Sequence, residues 1–511
     1  MLNWIESRTG FISMTKDFLT EDIPGGASYW YVFGSATMFA MILQITTGIF
    51  LTFFYAPSAA TAWESTRAIY LNPYTHFLLS MHYWGASAMI ALVFLHLLQV
   101  LIWGAYKSPR ELQWIVGVLL LLVTLVLGLS GYLLPWDMDA YFASQVSLNI
   151  AGLPPGGALL QGIAQGGGTM GTDTINRFFG IHVWLMPAAL VALVGAHLAI
   201  FRHNGPAGPV VDDPRKMRPG RFWPDQMFMD GIASLVVFFI IIFLAFVAPP
   251  FLDAKADPTN AAFVPYPAWY FLFLFGLLNF VPVLMQGSHI PFLVSQANAP
   301  WVELFAAIVI PTIGGIIVLV LPWLDRSTTR SFASRAGILW TTFFVIVAIV
   351  ALSFYAQSTI QAHIAASGVT PQTEDQILAA PPPNAGGTSN GTGETVGAPG
   401  GGAGAASAQV TAGQSVFSQN CSSCHGANGQ GQPGVAPPLA KNPFVTGDPK
   451  AVINVVENGL HGQAVMGQTF SAPMPAWKST LSKKDIADVI TFIRGGLPGN
   501  SASAVKVSAV K

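Results

Sequence analysis

The sequence predicts an all-α protein in two parts: a transmembrane bundle of about seven helices, then a small all-α soluble domain. Three observations predict it. Only 9% of the residues are charged while 52% are hydrophobic, the balance of a membrane protein with soluble parts. Seven apolar runs are long enough to cross a bilayer. Beyond them the chain becomes rich in Gly, Pro, Ala, Ser and Thr, then ends in a segment with short helical signals around Cys421-Ser422-Ser423-Cys424-His425.

Taken in order, residues Met1 to Gly26 mix Glu6, Arg8, Lys16, Asp17, Glu21 and Asp22 with few long apolar runs. They do not read as a cleavable signal peptide, and the chain is expected to enter the membrane at its first true span. The spans run from about Tyr29 to Tyr55, Phe77 to Trp103, Ile115 to Leu134, Ile181 to Phe201, Ile232 to Val247, Val302 to Leu324 and Ile338 to Tyr355. An eighth run, Trp269 to Met285, follows Pro265 and Pro267 and carries Asn279 and Pro282. With seven spans and the N-terminus inside, Arg8, Lys16, Lys107, Arg110, Arg202, Arg215, Lys216, Arg218, Arg221, Arg326, Arg330 and Arg335 fall in inner loops, and only Arg67, Arg177 and Lys255 in outer ones. Counting the eighth run would break this positive-inside bias. It is therefore expected as a helix in the outer interface or against the bundle.

Residues 357–409 read as a flexible linker from their composition; about fifty such residues span roughly 40 Å, enough for the domain beyond to act as a tethered shuttle. In that domain, residues 410–498, Asp448 before Pro449 looks like an N-cap, and Ser482 with Asp485 like a capping box. Residues 499–511 read as a frayed tail. The net charge of −1 argues for no nucleic-acid partner. Two cysteines, three apart, make no disulfide framework.

Chemistry is suggested first by four histidines. His82 and His96 lie fourteen residues apart in one span, and His182 and His197 fifteen apart in another. Fourteen helical residues rise roughly 21 Å and return the side chain to within about 40° of its starting direction. Each helix thus offers two imidazoles on nearly one face at two depths. Imidazole is a normal axial ligand of haem iron, so two stacked haem b groups would use all four: His82 with His182 near the outer face, His96 with His197 near the inner. A lone histidine in a span can equally be a packing or cavity residue. Gly34 and Gly48 in the first span, and Gly117 and Gly131 in the third, repeat the fourteen-residue interval. Glycine admits a group against the backbone, which fits haem packing as well as helix packing by small residues.

The CxxCH pentapeptide is the attachment pattern of c-type haem, with Cys421 and Cys424 bonding the porphyrin and His425 the iron. Half a zinc site or a redox dithiol are the alternatives, but no second CxxC is present. A sixth ligand is expected from Met474, held between Pro473 and Pro475, with Met466 as the weaker candidate.

The soluble domain resembles a class I cytochrome c in its CxxCH, its Met474-Pro475-Ala476-Trp477 loop and its final helix. The membrane part, through SMHYWGASAMIALVFLHLLQV, YKSPRELQW, GYLLPWD and RFFGIHVW, resembles the cytochrome b/b6 family of cytochrome bc complexes, with the fifteen-residue interval of the b6 branch. The resemblance divides the chain into a b6-like part, 1–225, and a subunit IV-like part, 226–356. It makes Pro267-Ala268-Trp269-Tyr270 the counterpart of that family's PEWY motif, so that Pro267, Trp269 and Tyr270 are expected at an outer quinol site. Here the motif's glutamate is Ala268, and Val32 stands where the b6 branch carries a cysteine for a third, covalently held haem. Arg202 is expected near an inner quinone or a haem propionate, although a solvated loop arginine would serve the charge bias as well.

The resemblance implies a quinol:cytochrome c oxidoreductase subunit with two non-covalent haem b and one covalent haem c, in a prokaryotic cytoplasmic membrane. Its N-terminus would be cytoplasmic and its C-terminal domain extracytoplasmic. The implied partners are a separate Rieske iron–sulfur protein, a soluble cytochrome c or terminal oxidase as acceptor, and a second copy in a homodimeric complex. The rivals are a haem b anchor linking a soluble dehydrogenase to quinone, and a transporter whose histidines relay protons.

Overall fold

The computed structural model describes residues 2–167, 169–210, 220–258, 260, 263–287, 299–367, 374–379, 409–410, 412–414, 416–417, 420–421, 425–426, 429–431, 436–460, 474–478 and 481–510. The chain divides into two compact units, Met1–Ala385 and Gly386–Lys511.

Seven helices in the first unit are long and apolar enough to cross a membrane: Tyr29–Thr52, Pro73–Ile102, Glu111–Tyr132, Thr172–Asn204, Phe222–Val247, Trp301–Leu319 and Ala333–Ala366. They match the seven runs read from the sequence. The second span starts where Asn72 accepts hydrogen bonds from the Tyr74 and Thr75 backbone N–H groups, with Pro73 in the first turn, a combination that satisfies orphan donors and presets the helical φ. Many large side chains on the spans remain exposed, Phe239, Phe243, Phe343 and Phe344 among them. A bilayer accepts that surface, because only the backbone must be satisfied internally there. The eighth apolar run forms a shorter helix, Trp269–Leu284, and packs along the last span through Leu272, Ala356 and Ile360.

Between the spans lie surface elements. Met138–Gly152 and Gly157–Gln165 form a helical pair after the third span. Asp137 caps the first of them, accepting from Ala140 N–H at 2.8 Å. The loop after the fifth span is laid against this turn by Met138 N–H to the Ala254 carbonyl, 2.8 Å, and Ala256 N–H to the Trp136 carbonyl, 3.1 Å. At the opposite end of the bundle a two-residue ribbon pairs Asp22 with Arg221 and Ile23 with Gly220. There Asp325 meets Lys107 Nζ at 2.9 Å and Arg335 Nε at 3.2 Å and accepts from the Tyr106 hydroxyl at 2.6 Å. Arg335 also donates to the Ile102 carbonyl at 2.9 Å, so a buried charge is fully partnered and ties the sixth-to-seventh loop to the end of the second span. Gly104, at φ +59°, makes room for it: a Cβ there would lie 2.8 Å from the guanidinium.

Two boundaries differ from the sequence reading. The last helix runs to Ser367, taking in the first eleven residues of the expected linker, 357–367. Its extension buries Ile360 and packs Ile364 beside Val264 and Tyr266, so apolar spacing at four residues continues the helix past Gln357. Glu374–Ala379 is helical again, with Ile377 buried against Trp63, Tyr70 and Leu252. Residues 368–373 and 380–408 of the expected linker lie outside the described residues.

In the second unit Pro449–Asn458 is capped by Asp448, and Lys483–Gly495 by the Ser482/Asp485 capping box. Both helices face a core of Phe417, Val452, Ile453, Val456, Ile486 and Ile490. The C-terminal residues are not frayed. Val505 and Val510 are part of this core, and Asn500 donates to the Leu439 and Ile493 carbonyls at 2.9 and 2.7 Å while accepting from Lys441 N–H at 2.7 Å. The final helix presents apolar residues on more than one side, and the tail's valines cover what the other helices leave.

Candidate functional site

The structure brings the four histidines together in two pairs. The ring centres of His82 and His182 are 6.3 Å apart at an interplanar angle of 76°; those of His96 and His197 are 6.5 Å apart at 77°. Two metal–nitrogen bonds of about 2 Å and two ring radii of about 1.1 Å place ring centres about 6.2 Å apart, so each gap has the width of one iron with an imidazole on either side. Among the described residues no group of three or more His, Cys, Asp or Glu is arranged to hold a metal. Each pair thus offers two protein ligands, the number that iron already held by a porphyrin needs, rather than the four that zinc takes.

Ring orientation is set through Nδ1. His82 Nδ1 meets Thr47 Oγ1 at 2.9 Å. His182 Nδ1 meets Ser130 Oγ and the Leu127 carbonyl, both at 3.1 Å, and His96 Nδ1 meets Gln99 Oε1 at 3.2 Å. His197 Nδ1 faces the Gln113 backbone without reaching hydrogen-bond geometry. Bonds at Nδ1 leave Nε2 for a metal, the arrangement in which outer groups fix the ligand tautomer.

The four glycines stand beside the four rings. A Cβ at Gly34 would lie 3.5 Å from His96 Cε1, at Gly48 3.1 Å from His82 Cε1, at Gly117 3.4 Å from His197 Cε1, and at Gly131 2.6 Å from His182 Cε1. A Cβ at Gly131 or Gly48 would press on the imidazole, whereas at Gly34 and Gly117 it would make ordinary contact with it. The fifteen-residue interval has a local cause: Ile181–Leu185, which contains His182, is a π-helical turn ahead of Pro187. A π turn absorbs one residue more than an α turn, so fifteen residues here regain the phase that fourteen give in the second span.

Pro267, Trp269 and Tyr270 lie at the His82 end. Trp269 Nε1 donates to Ser87 Oγ in the second span at 3.4 Å. The Tyr270 hydroxyl fills the notch at Gly128, where a Cβ would be 2.8 Å from it. The preceding residue, Tyr266, donates its N–H to Asp139 Oδ1 at 2.6 Å, and its carbonyl is 2.6 Å from the Tyr132 hydroxyl, which also reaches Asp139 Oδ2. Burial pushes the Asp139 carboxyl up to about 6, against the lowering pull of Tyr132 and Tyr266. Burial likewise raises Asp137 to about 7.

At the other end lies Arg202 of the fourth span. Its guanidinium is paired with Glu21 and lies 5.2 Å from the Phe18 ring centre. Val32 is buried.

In the soluble unit, His425 is buried, with Nδ1 2.8 Å from the Pro437 carbonyl; burial lowers its basicity and keeps the imidazole neutral, as a metal ligand must be. Cys421 packs partly buried against the core. Met474 does too, and its backbone is held by two 3.0 Å hydrogen bonds to Leu460. Gly459, at φ +74°, permits that bridge, since a Cβ would come 2.5 Å from the Met474 carbonyl oxygen. Cys424 and Met466 lie outside the described residues.

Comparison with known proteins gives the family. Residues 87–255 match the family model described as cytochrome b(N-terminal)/b6/petB, and residues 255–370 its C-terminal counterpart, cytochrome b(C-terminal)/b6/petD. The cytochrome bc complex cytochrome b subunit of Chlorobaculum thiosulfatiphilum is 32% identical over 366 residues, covering 70% of this chain and 80% of that one. The chain belongs to the cytochrome b/b6 family. A menaquinol:cytochrome c reductase cytochrome b subunit from Geobacillus thermodenitrificans is 40% identical over 222 residues, 41% of this chain and 98% of its own. A solved structure titled hyperthermophilic respiratory Complex III superposes with a TM-score of 0.58 at 26% identity, over 72% of this chain and 96% of that one. Residues 408–493 match the model for cytochrome c oxidase, cbb3-type, subunit III.

This member is therefore a cytochrome b of a bc-type complex carrying a c-type cytochrome domain on the same chain, and the two domain types imply haem b and haem c. What sequence reasoning missed is the Tyr132–Asp139–Tyr266 contact. Asp139 sits in the first turn of Met138–Gly152, 127 residues from Tyr266, and no local pattern marks it.

Proposed function

We propose that this cytochrome b is the electron-transfer core of a quinol:cytochrome c oxidoreductase with two haem b sites and one haem c site. Bound at these sites, haems supply one-electron carriers at two depths of the membrane and one in the soluble domain. The observation that carries the reading is the pair of 6.3 and 6.5 Å imidazole gaps, each beside glycines that leave the space clear.

His82 and His182 would hold the outer iron, and His96 and His197 the inner one, about 21 Å of helix rise away. Thr47, Ser130 and Gln99 keep the rings turned with Nε2 inward. Gly34, Gly48, Gly117 and Gly131 admit the porphyrin planes. Pro267, Trp269 and Tyr270 line the outer quinol site beside His182's glycine-bearing neighbour helix. Haems held by these two histidine pairs would supply a one-electron path between the outer quinol site and an inner quinone. A Rieske iron–sulfur protein on a separate chain would take the other electron, and a haem held by Cys421, Cys424, His425 and Met474 would supply the one-electron carrier between it and a soluble cytochrome c or terminal oxidase. With Arg202 engaged by Glu21, its expected service to an inner quinone or propionate requires that pair to open. The crowding of basic residues at the His96 end supports a cytoplasmic N-terminus, and with seven spans the haem c domain is then extracytoplasmic, in a complex that the family pattern makes dimeric.

Anaerobic addition of menadiol to the purified complex is expected to reduce both b-type and c-type absorbance, with the c-type signal requiring the Rieske partner. If a dehydrogenase substrate rather than quinol reduces the b sites, the chain is an anchor. Deleting most of Pro381 to Ala406 is expected to slow delivery from haem c to the acceptor while leaving haem c reduction intact. Unchanged turnover would show that tether length plays no part.

A further inference from the structure

Ala268 places a methyl group where the motif of the family carries an acid, so a proton leaving quinol at this loop must find another acceptor. Among the nearby carboxyls are Asp137, Asp139 and Asp253. Asp137 has both oxygens engaged by backbone N–H groups, of Ala140 at 2.8 Å and Asp253 at 3.3 Å. Asp253 accepts from its neighbour Ala254 at 2.7 Å. A backbone N–H has no proton to pass on. Asp139 differs: one oxygen anchors Tyr266 N–H, and the other meets the Tyr132 hydroxyl, itself 2.6 Å from the Tyr266 carbonyl. A phenol gives one proton and takes another, so this contact is a relay.

We propose that Asp139 receives the first proton of quinol oxidation, handed on by the Tyr132 hydroxyl. The quinol O–H bond breaks as a new O–H bond forms on Tyr132, and the Tyr132 proton moves to Asp139 Oδ2. The electron leaves separately, to the Rieske partner. This rests on the reading of Pro267, Trp269 and Tyr270 as the outer quinol site.

The surroundings suit the task. The groups facing Asp139 are Tyr132 of the third span, Tyr83 of the second, Tyr266 of the motif loop, Asp137 on its own segment and Asp253 after the fifth span. None is a cation that would hold the carboxylate ionised at low pH. Burial raises the group to about 6, near enough to neutrality to accept a proton and release it again. Since the raised carboxyl is protonated below that value, quinol oxidation should rise with pH through about 6.

The test is stopped-flow reduction of the b and c haems by menadiol in the intact complex, as a function of pH, with b-haem content measured in parallel. Asp139→Asn keeps the acceptor for Tyr266 N–H but cannot take a proton. It is expected to slow reduction about 10- to 100-fold and to erase the limb near 6, and adding Ala268→Glu to it should restore rate and a pH limb. Asp139→Glu, the milder change, should retain the limb with a displaced midpoint. An Asn variant with normal rate and limb overturns the proposal. So does a slow variant that keeps the limb and gains nothing from Ala268→Glu, which would make Asp139 an anchor of the loop, and so does a Glu variant whose midpoint stays in place. Failure of the quinol-site reading looks different: menadiol would then not reduce the b haems of the unaltered complex, or would do so undisturbed by Tyr270→Ala.

Discussion

Replacing His82 with leucine is expected to remove half of the haem b absorbance, leave the haem c spectrum intact and abolish quinol-driven turnover. His182→Leu should remove the same haem, and His96→Leu and His197→Leu the other. The basis is the pairing by ring distance, 6.3 Å for one pair and 6.5 Å for the other. Losing even an outer hydrogen-bond partner of a metal-binding histidine typically costs about 10- to 100-fold in affinity, and losing the ligand costs more. Redox difference spectra of the four variants check this, because the two b sites differ in environment. The His82 ring is held by a threonine and the His96 ring by a glutamine. If His82→Leu and His96→Leu deplete the same spectral component, the pairing is wrong.

Replacing Cys421 with alanine is expected to break the chain of transfer at its far end. The b haems should load normally and accept electrons from quinol, while reduction of the final acceptor falls to the uncatalysed background. Cys421 packs against the domain core and its carbonyl accepts from His425 N–H at 3.0 Å, so a haem bonded there would be held against that core. Met474→His should keep the haem but lower its potential, since a thioether ligand favours the reduced iron more than imidazole does. Haem staining of denatured protein and a redox titration read the two variants separately. Acceptor reduction at the normal rate by Cys421→Ala would show that electrons leave by another route.

Much of this was legible in the sequence because the signals are periodic. Seven apolar runs, four histidines and four glycines repeat at helical spacing, and the structure places each glycine against one histidine ring. The capping residues Asp448 and Ser482 were equally readable, being local. What escaped reading depends on distant partners or on a change of helical period. The π turn at Ile181–Leu185 reconciles unequal histidine intervals that periodicity alone leaves unexplained. The helix past Gln357 and the packed tail at Val505 and Val510 exist because tertiary surfaces cover short apolar spacings. Arg202 obeyed the charge rule, but its partner Glu21 is 181 residues away. Nothing near Asp139 in the sequence points to its partner Tyr266, 127 residues away.

The most direct test of the account is the haem content of the purified chain, measured as pyridine haemochromes after acid–acetone extraction. Two imidazole pairs and one CxxCH motif require two extractable haem b groups for each haem c that stays with the polypeptide. A ratio of one to one, or haem b held with only one pair of histidines intact in number, would contradict the reading of this chain as a complete two-site cytochrome b fused to its own cytochrome c.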